Sequence, residues 1–114
     1  MSKEYFFKEG CFIEEWHNSS DDESMSVARV RVEANQVTRL HSLENTTERY
    51  VILSGQGQVT VANKSWTVSA KDVVTIQPGQ PQKIENRLDQ DLVFLAICTP
   101  RFKEQHYIDL EDGD

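Results

Sequence analysis

The sequence predicts an all-β fold, an antiparallel barrel or sandwich. Runs of about four to eight residues with strand character recur roughly every ten residues, separated by turn residues. Several runs alternate apolar and polar side chains with period two. No stretch carries the periodicity of an amphipathic helix of useful length.

Each element follows from local chemistry. Asn18 to Ser24 has turn residues and nothing apolar, so it marks a boundary. Met25 to Glu33 is the first clear strand, β-rich and alternating in its later part. Tyr50 to Leu53 is a short apolar strand that ends at Ser54-Gly55-Gln56-Gly57. Gln58 to Ala62 alternates again, with Val59 and Val61 on one face. Asn63-Lys64 reads as a turn, followed by strands at Trp66–Val68 and Val73–Ile76. Pro78-Gly79-Gln80-Pro81 is a loop with helix breakers at both ends, and Lys83–Asn86 is weakly β. Asp89-Gln90-Asp91 turns the chain into a buried strand, Leu92–Thr99, that Pro100 stops.

A chain of 114 residues suits one domain, taken as 1–114 with a barrel core at about 25–99 between flanking segments 1–24 and 100–114. Hydrophobic residues are a lean 38%, which fits a barrel that keeps a polar cavity or a subunit that completes its core by forming a homodimer. Net charge is −7 without a basic block, which argues against nucleic-acid binding. No apolar run has the length of a signal peptide or membrane helix, so the expected address is the cytoplasm, away from membranes. There Cys11 and Cys98 are expected as thiols, and the Asn-x-Ser/Thr sites carry no meaning. The acidic end, Asp109 to Asp114, is expected to be solvated. Tyr5-Phe6-Phe7 is too apolar for a free tail and is expected to pair with or pack on a second subunit. Trp16 and Trp66 are expected in the core or an interface, and His17 and His106 at the surface.

Two spaced signatures add to this. His41-Ser42-Leu43 is followed after four residues by Glu48 and after six more by Gly55. Lys71-Asp72 leads through Ile76 to Pro78-Gly79-Gln80-Pro81-Gln82 and then Asn86. Together these resemble the two motifs of the cupin superfamily over about residues 27–99. The resemblance implies a double-stranded β-helix, a jelly-roll-like barrel whose motif residues point inward around a metal. This chain departs from the pattern at four places. Leu43 stands for the second His of the first motif, and Gln82 for the His of the second. Gln77 stands for a Pro, and Lys71 for a Gly.

On a strand, residues two apart share a face. If the motif positions face inward, Arg39, His41, Glu48, Tyr50 and Gln82 form a polar cluster in an apolar barrel. Such a cluster needs a metal, a ligand or its own hydrogen-bond network to offset desolvation. In the metal reading His41, Glu48 and Gln82 are the ligands, an oxygen-rich set suited to Fe(II), Mn(II) or Ni(II), with Zn(II) also possible. Glu48 then relays a proton, and Arg39 or Tyr50 binds substrate and steadies developing charge. In the alternative, His41 only hydrogen-bonds Glu48 and Gln82. The functions expected are a metal-dependent enzyme on a small oxygenated molecule, such as a dioxygenase or isomerase, or a metal-free binding or sensing module. Cys98 is expected to be a buried, inert thiol.

Overall fold

A computed structural model describes residues 3–111. In chain order the strands are β1 (Tyr5–Phe7), β2 (Cys11–His17), β3 (Ser26–Val32), β4 (His41–Leu43), β5 (Thr47–Ser54), β6 (Gln56–Val61), β7 (Lys64–Ser69), β8 (Val73–Ile76), β9 (Gln82–Glu85), β10 (Leu92–Thr99) and β11 (Tyr107–Asp109). A short 3-10 turn, Glu104–His106, precedes β11. The strands form two antiparallel sheets, ordered β1-β2-β3-β10-β5-β8 and β11-β4-β9-β6-β7. This is the all-β barrel that the strand rhythm predicts.

Period two explains which residues fill it. Along β5, Glu48, Tyr50 and Ile52 are buried, whereas Arg49 and Leu53 are exposed. Val59 and Val61 of β6, Val74 and Ile76 of β8, Ile84 of β9 and Phe94 of β10 complete the main core between the sheets. Leu43, Cys98 and Tyr107 form a second cluster with Phe7 and Phe102 packed on it. The polar site lies beside this smaller cluster.

The flanking segments are more structured than their composition suggests. β1 and β2 extend the six-stranded sheet past β3, and β11 pairs with β4. Tyr5-Phe6-Phe7 therefore pairs within its own chain, leaving Tyr5 and Phe6 exposed. The acidic end is not simply solvated. Asp109 lies opposite His41 in the β4–β11 ladder, and Glu111 accepts a hydrogen bond from the Leu40 amide. Residues 112–114 of that stretch lie outside the described residues. The turn of the β6–β7 hairpin falls at Ala62-Asn63 rather than Asn63-Lys64, with Lys64 already in strand. Trp16 and Trp66 are 52% and 40% exposed, so neither belongs to the core. His106 is half-buried rather than on the surface, whereas His17 is exposed and paired with Asp22 at 2.8 Å.

Three motif positions have structural reasons. Gly55 has φ +83°, and a Cβ there would sit 2.6 Å from the Asp91 carbonyl oxygen. Gly55→Ala is expected to cost about 2–3 kcal/mol in urea unfolding, because strain and a backbone clash coincide. Asn86 donates through Nδ2 to the carbonyls of Val32, Glu33 and Gln90, and its Oδ1 accepts from the Leu88 amide at 3.1 Å. It ties the end of β9 to its neighbours, which is a fold role. Lys71, where the motif has Gly, has φ +80°. Lys71→Gly is expected to stabilise the fold by about 1 kcal/mol, since a left-handed conformation strains a residue with a Cβ. Unchanged or lower stability in urea unfolding would contradict this.

Candidate functional site

The sequence places His41, Glu48 and Gln82 on separate strands, and the fold brings them to one interior region. His41 opens β4 and pairs directly with Gln82 on β9. Glu48 comes from the other sheet, on β5, opposite Cys98 of β10 and Ile76 of β8. All three side chains are buried.

A cavity beside them offers about 50 Å³ to the centre of a water molecule. Its polar lining includes Glu9, His41, Glu48, Tyr50, Cys98 and Tyr107. Gln82 does not line it. The Tyr50 hydroxyl donates to Gln82 Oε1, and Gln82 Nε2 is buried. Tyr50 is thereby tied to Gln82, and burial holds its phenol well above the usual range. It is a hydrogen-bond donor here, not a base.

Arg39 is not among the lining residues. Its guanidinium turns to Asp109, with Nε 2.9 Å from Oδ2, and also faces Glu111. Arg39, expected as a substrate clamp, is paired here with Asp109 of β11 beside β4. The reason is the acidic end, which the fold folds back rather than leaves in solvent.

The structure adds a residue the spacing does not reveal. Glu9 lies in the β1–β2 turn, where the Gly10 amide donates to the Phe7 carbonyl and Gly10 takes φ +100°. The Glu9 carbonyl accepts from the Arg39 amide at 2.8 Å, which anchors the turn just ahead of β4. Glu9 Oε1 then lies 3.4 Å from His41 Nε2. Lys8-Glu9-Gly10 reads as an ordinary charged turn, so only tertiary contact identifies it.

Local contacts fix the state of each group. His41 Nδ1 is 2.7 Å from the Arg39 carbonyl, which can only accept, so Nδ1 carries the proton and Nε2 presents a lone pair when the ring is neutral. Burial lowers the His41 pKa, against the opposing pull of Glu48, the Arg39 carbonyl and Asp109. Burial pushes the Glu48 carboxyl up to about 7, with His41, Gln82 and Cys98 holding it back and Glu9 adding to the rise. Burial pushes Glu9 up to about 8, with the Cys11 thiol opposing. Glu48 Oε1 and the Tyr107 hydroxyl are buried without hydrogen-bond partners. Tyr107 stacks on His41 with ring centres 4.9 Å apart. Cys98 is buried, and burial together with Glu48 drives its thiol pKa up, which keeps it protonated.

Among the described residues, no group of three or more His, Cys, Asp and Glu side chains is arranged to hold a metal ion. No helix among them is long and apolar enough to cross a membrane.

Comparisons with known proteins agree with this architecture. An uncharacterised protein of Methanocaldococcus jannaschii is 31% identical over 105 residues, covering 90% of this chain and 84% of that one. An oxalate-binding protein of Thermotoga maritima is 34% identical over 70 residues, 61% of this chain and 58% of that one. Among solved structures, the Streptomyces nucleoside dehydratase Pac13 superposes with TM-score 0.80 at 22% identity, covering 96% of this chain and 84% of that one. A predicted oxalate decarboxylase of Thermotoga maritima superposes with TM-score 0.73 at 27% identity, covering 87% and 91%. The cupin domain model matches residues 28–98, from within β3 to within β10 and across both motif segments, and the chain is a member of the cupin family.

Proposed function

We propose that this cupin works without a resident metal, binding a small hydroxylated molecule in its barrel and moving protons on it, as in a dehydration or isomerisation. The observation that carries this reading is the grouping of His41, Glu48 and Glu9 around one cavity, with both carboxyls held near neutrality. A group that gives up a proton near the working pH serves best as a general acid or base.

The residues do not fit a divalent metal. Leu43 supplies no ligand atom, and Gln82 Oε1 already accepts from Tyr50. Readings that require Fe(II), Mn(II), Ni(II) or Zn(II), including a dioxygenase, would have to recruit Glu9 as the third ligand, and among the described residues no group of three or more His, Cys, Asp and Glu side chains is arranged to hold a metal.

The chemistry follows from the assigned protons. Neutral His41 Nε2 takes a proton from an acidic C–H of the ligand, and that electron pair becomes a C=C as the C–O bond on the neighbouring carbon breaks. Protonated Glu48 gives its proton to a departing hydroxyl, which leaves as water. The imidazolium and carboxylate formed attract each other and reset by passing the proton back. Glu9 Oε1, 3.4 Å from His41 Nε2, is placed to accept a hydrogen bond from the protonated ring. A nucleoside dehydratase on the same fold supports a hydroxylated ligand and water loss as chemistry that such a barrel accommodates.

The test is a binding and turnover screen of hydroxylated compounds on chelator-treated protein. Binding without metal is expected, weakened about tenfold by His41→Gln and by Glu48→Gln. Turnover, where found, should vanish in both variants. Binding that appears only when a divalent metal is returned would overturn the proposal.

The chain is also proposed to act as a homodimer, because Phe6 and Trp16 stay 63% and 52% exposed on β1 and β2. A monomer mass at every concentration in light scattering would remove this part.

A further inference from the structure

The lining of the cavity sets the charge of what enters it. Glu9, Glu15 and Glu48 contribute carboxyls, and among the described residues no Lys or Arg lines it. Arg39 faces Asp109 and Glu111. Arg101 and Lys103 border the neighbouring groove, where both are paired with Glu23 at 2.9 Å. Lys8 Nζ lies 4.9 Å over the Tyr107 ring but is paired with Glu104 at 3.1 Å, so an anion in the cavity would lose its water beside carboxyls without an unpaired Lys or Arg to meet it, which is unfavourable in a low-dielectric site.

The rim sets shape. Tyr107 is stacked on His41, and Phe7 meets Tyr107 and Phe102 edge-on, at 5.5 and 6.3 Å between ring centres. Tyr5, Phe7 and Phe102 border both the small cavity and the wider groove outside it, of about 710 Å³. The cavity therefore suits a hydroxyl-bearing end, and the aromatic rim suits a flat ring. Inside, Glu48 Oε1 and the Tyr107 hydroxyl are buried without partners and available to a ligand hydroxyl.

We infer that the pocket selects an uncharged ligand with a planar ring at the rim and a hydroxyl-bearing end inside, and discriminates against anions, oxalate included. This rests on the metal-independent reading above. It also separates this chain from its oxalate-binding relative, whose similarity covers 61% of this chain.

A matched pair tests it. Benzyl alcohol and benzoate share the ring and differ in one group, CH₂OH against COO⁻. Calorimetric or NMR titration is run at neutral pH on chelator-treated protein, with oxalate as a further anion. The alcohol is expected to bind at least about tenfold more tightly than the benzoate, with oxalate unbound. Glu48→Gln is expected to narrow the gap between alcohol and benzoate, and Phe7→Ala to weaken the alcohol. Equal or tighter benzoate or oxalate binding in chelator would overturn the inference and leave the metal-independent reading intact. Absence of alcohol binding would overturn it too. Anion binding that appears only on adding Mn(II) would instead overturn the metal-independent reading.

Discussion

Between pH 6.5 and pH 8 the protein is expected to lose roughly 2 kcal/mol of stability, with most of that slope removed in Glu9→Gln/Glu48→Gln. The sign follows from linkage. Both carboxyls titrate in the unfolded chain near 4.5, but near 7 and 8 when folded. Across that window the native state holds protons the unfolded chain has released, so raising pH favours unfolding. Stability from these groups is whole below 4.5 and is lost as pH rises through 7 and 8. His41 acts oppositely, because its folded pKa lies below 6.5 and native protein resists charging it in acid. Above 6.5 that opposing effect fades, which makes the upper window the cleaner one. Urea unfolding of wild type and variant at several pH values measures the slope. A flat or rising wild-type profile would show that these carboxyls ionise as freely as in water.

The double substitution Leu43→His/Gln82→His is expected to create a divalent-metal site, raising stability by about 3 kcal/mol at saturating metal. Leu43 and Gln82 hold the positions where cupin motifs carry His, and both are buried with His41 and Glu48 nearby. Restoring both imidazoles supplies three nitrogens and a carboxylate, a donor set that mid-row divalent metals accept. Thermal unfolding with Mn(II) or Ni(II), then with chelator, reads the gain and its reversal. Wild type should respond to neither addition. A variant that folds without gaining metal would mean that these positions do not share a centre. A wild-type response to chelator would overturn the metal-independent reading.

Much of the barrel is legible in the sequence because strand periodicity is local. Val73–Ile76 and Leu92–Thr99 appear in the structure with the bounds their residues suggest. β4 is harder, since three residues carry too little pattern to reveal a strand, and only motif spacing marks His41. β1, β2 and β11 escape detection for a related reason. Their mixed composition becomes strand through pairing with neighbours, which no local window contains.

The sequence by itself determined the all-β class, the inward set of His41, Glu48, Tyr50 and Gln82, and the loss of two expected imidazoles at Leu43 and Gln82. The class follows from strand rhythm and period two, whereas the inward orientation and the two missing imidazoles follow from the resemblance to the cupin motifs. Only the tertiary structure decided that Glu9 joins His41, that Arg39 is turned to Asp109, and that Gln82 is committed to Tyr50. These pairings span 32 residues or more, and which donor meets which acceptor depends on how turns and the chain end fold back. The chemistry at the site is set by those long-range meetings, because burial and partners, not residue type alone, decide where each proton sits.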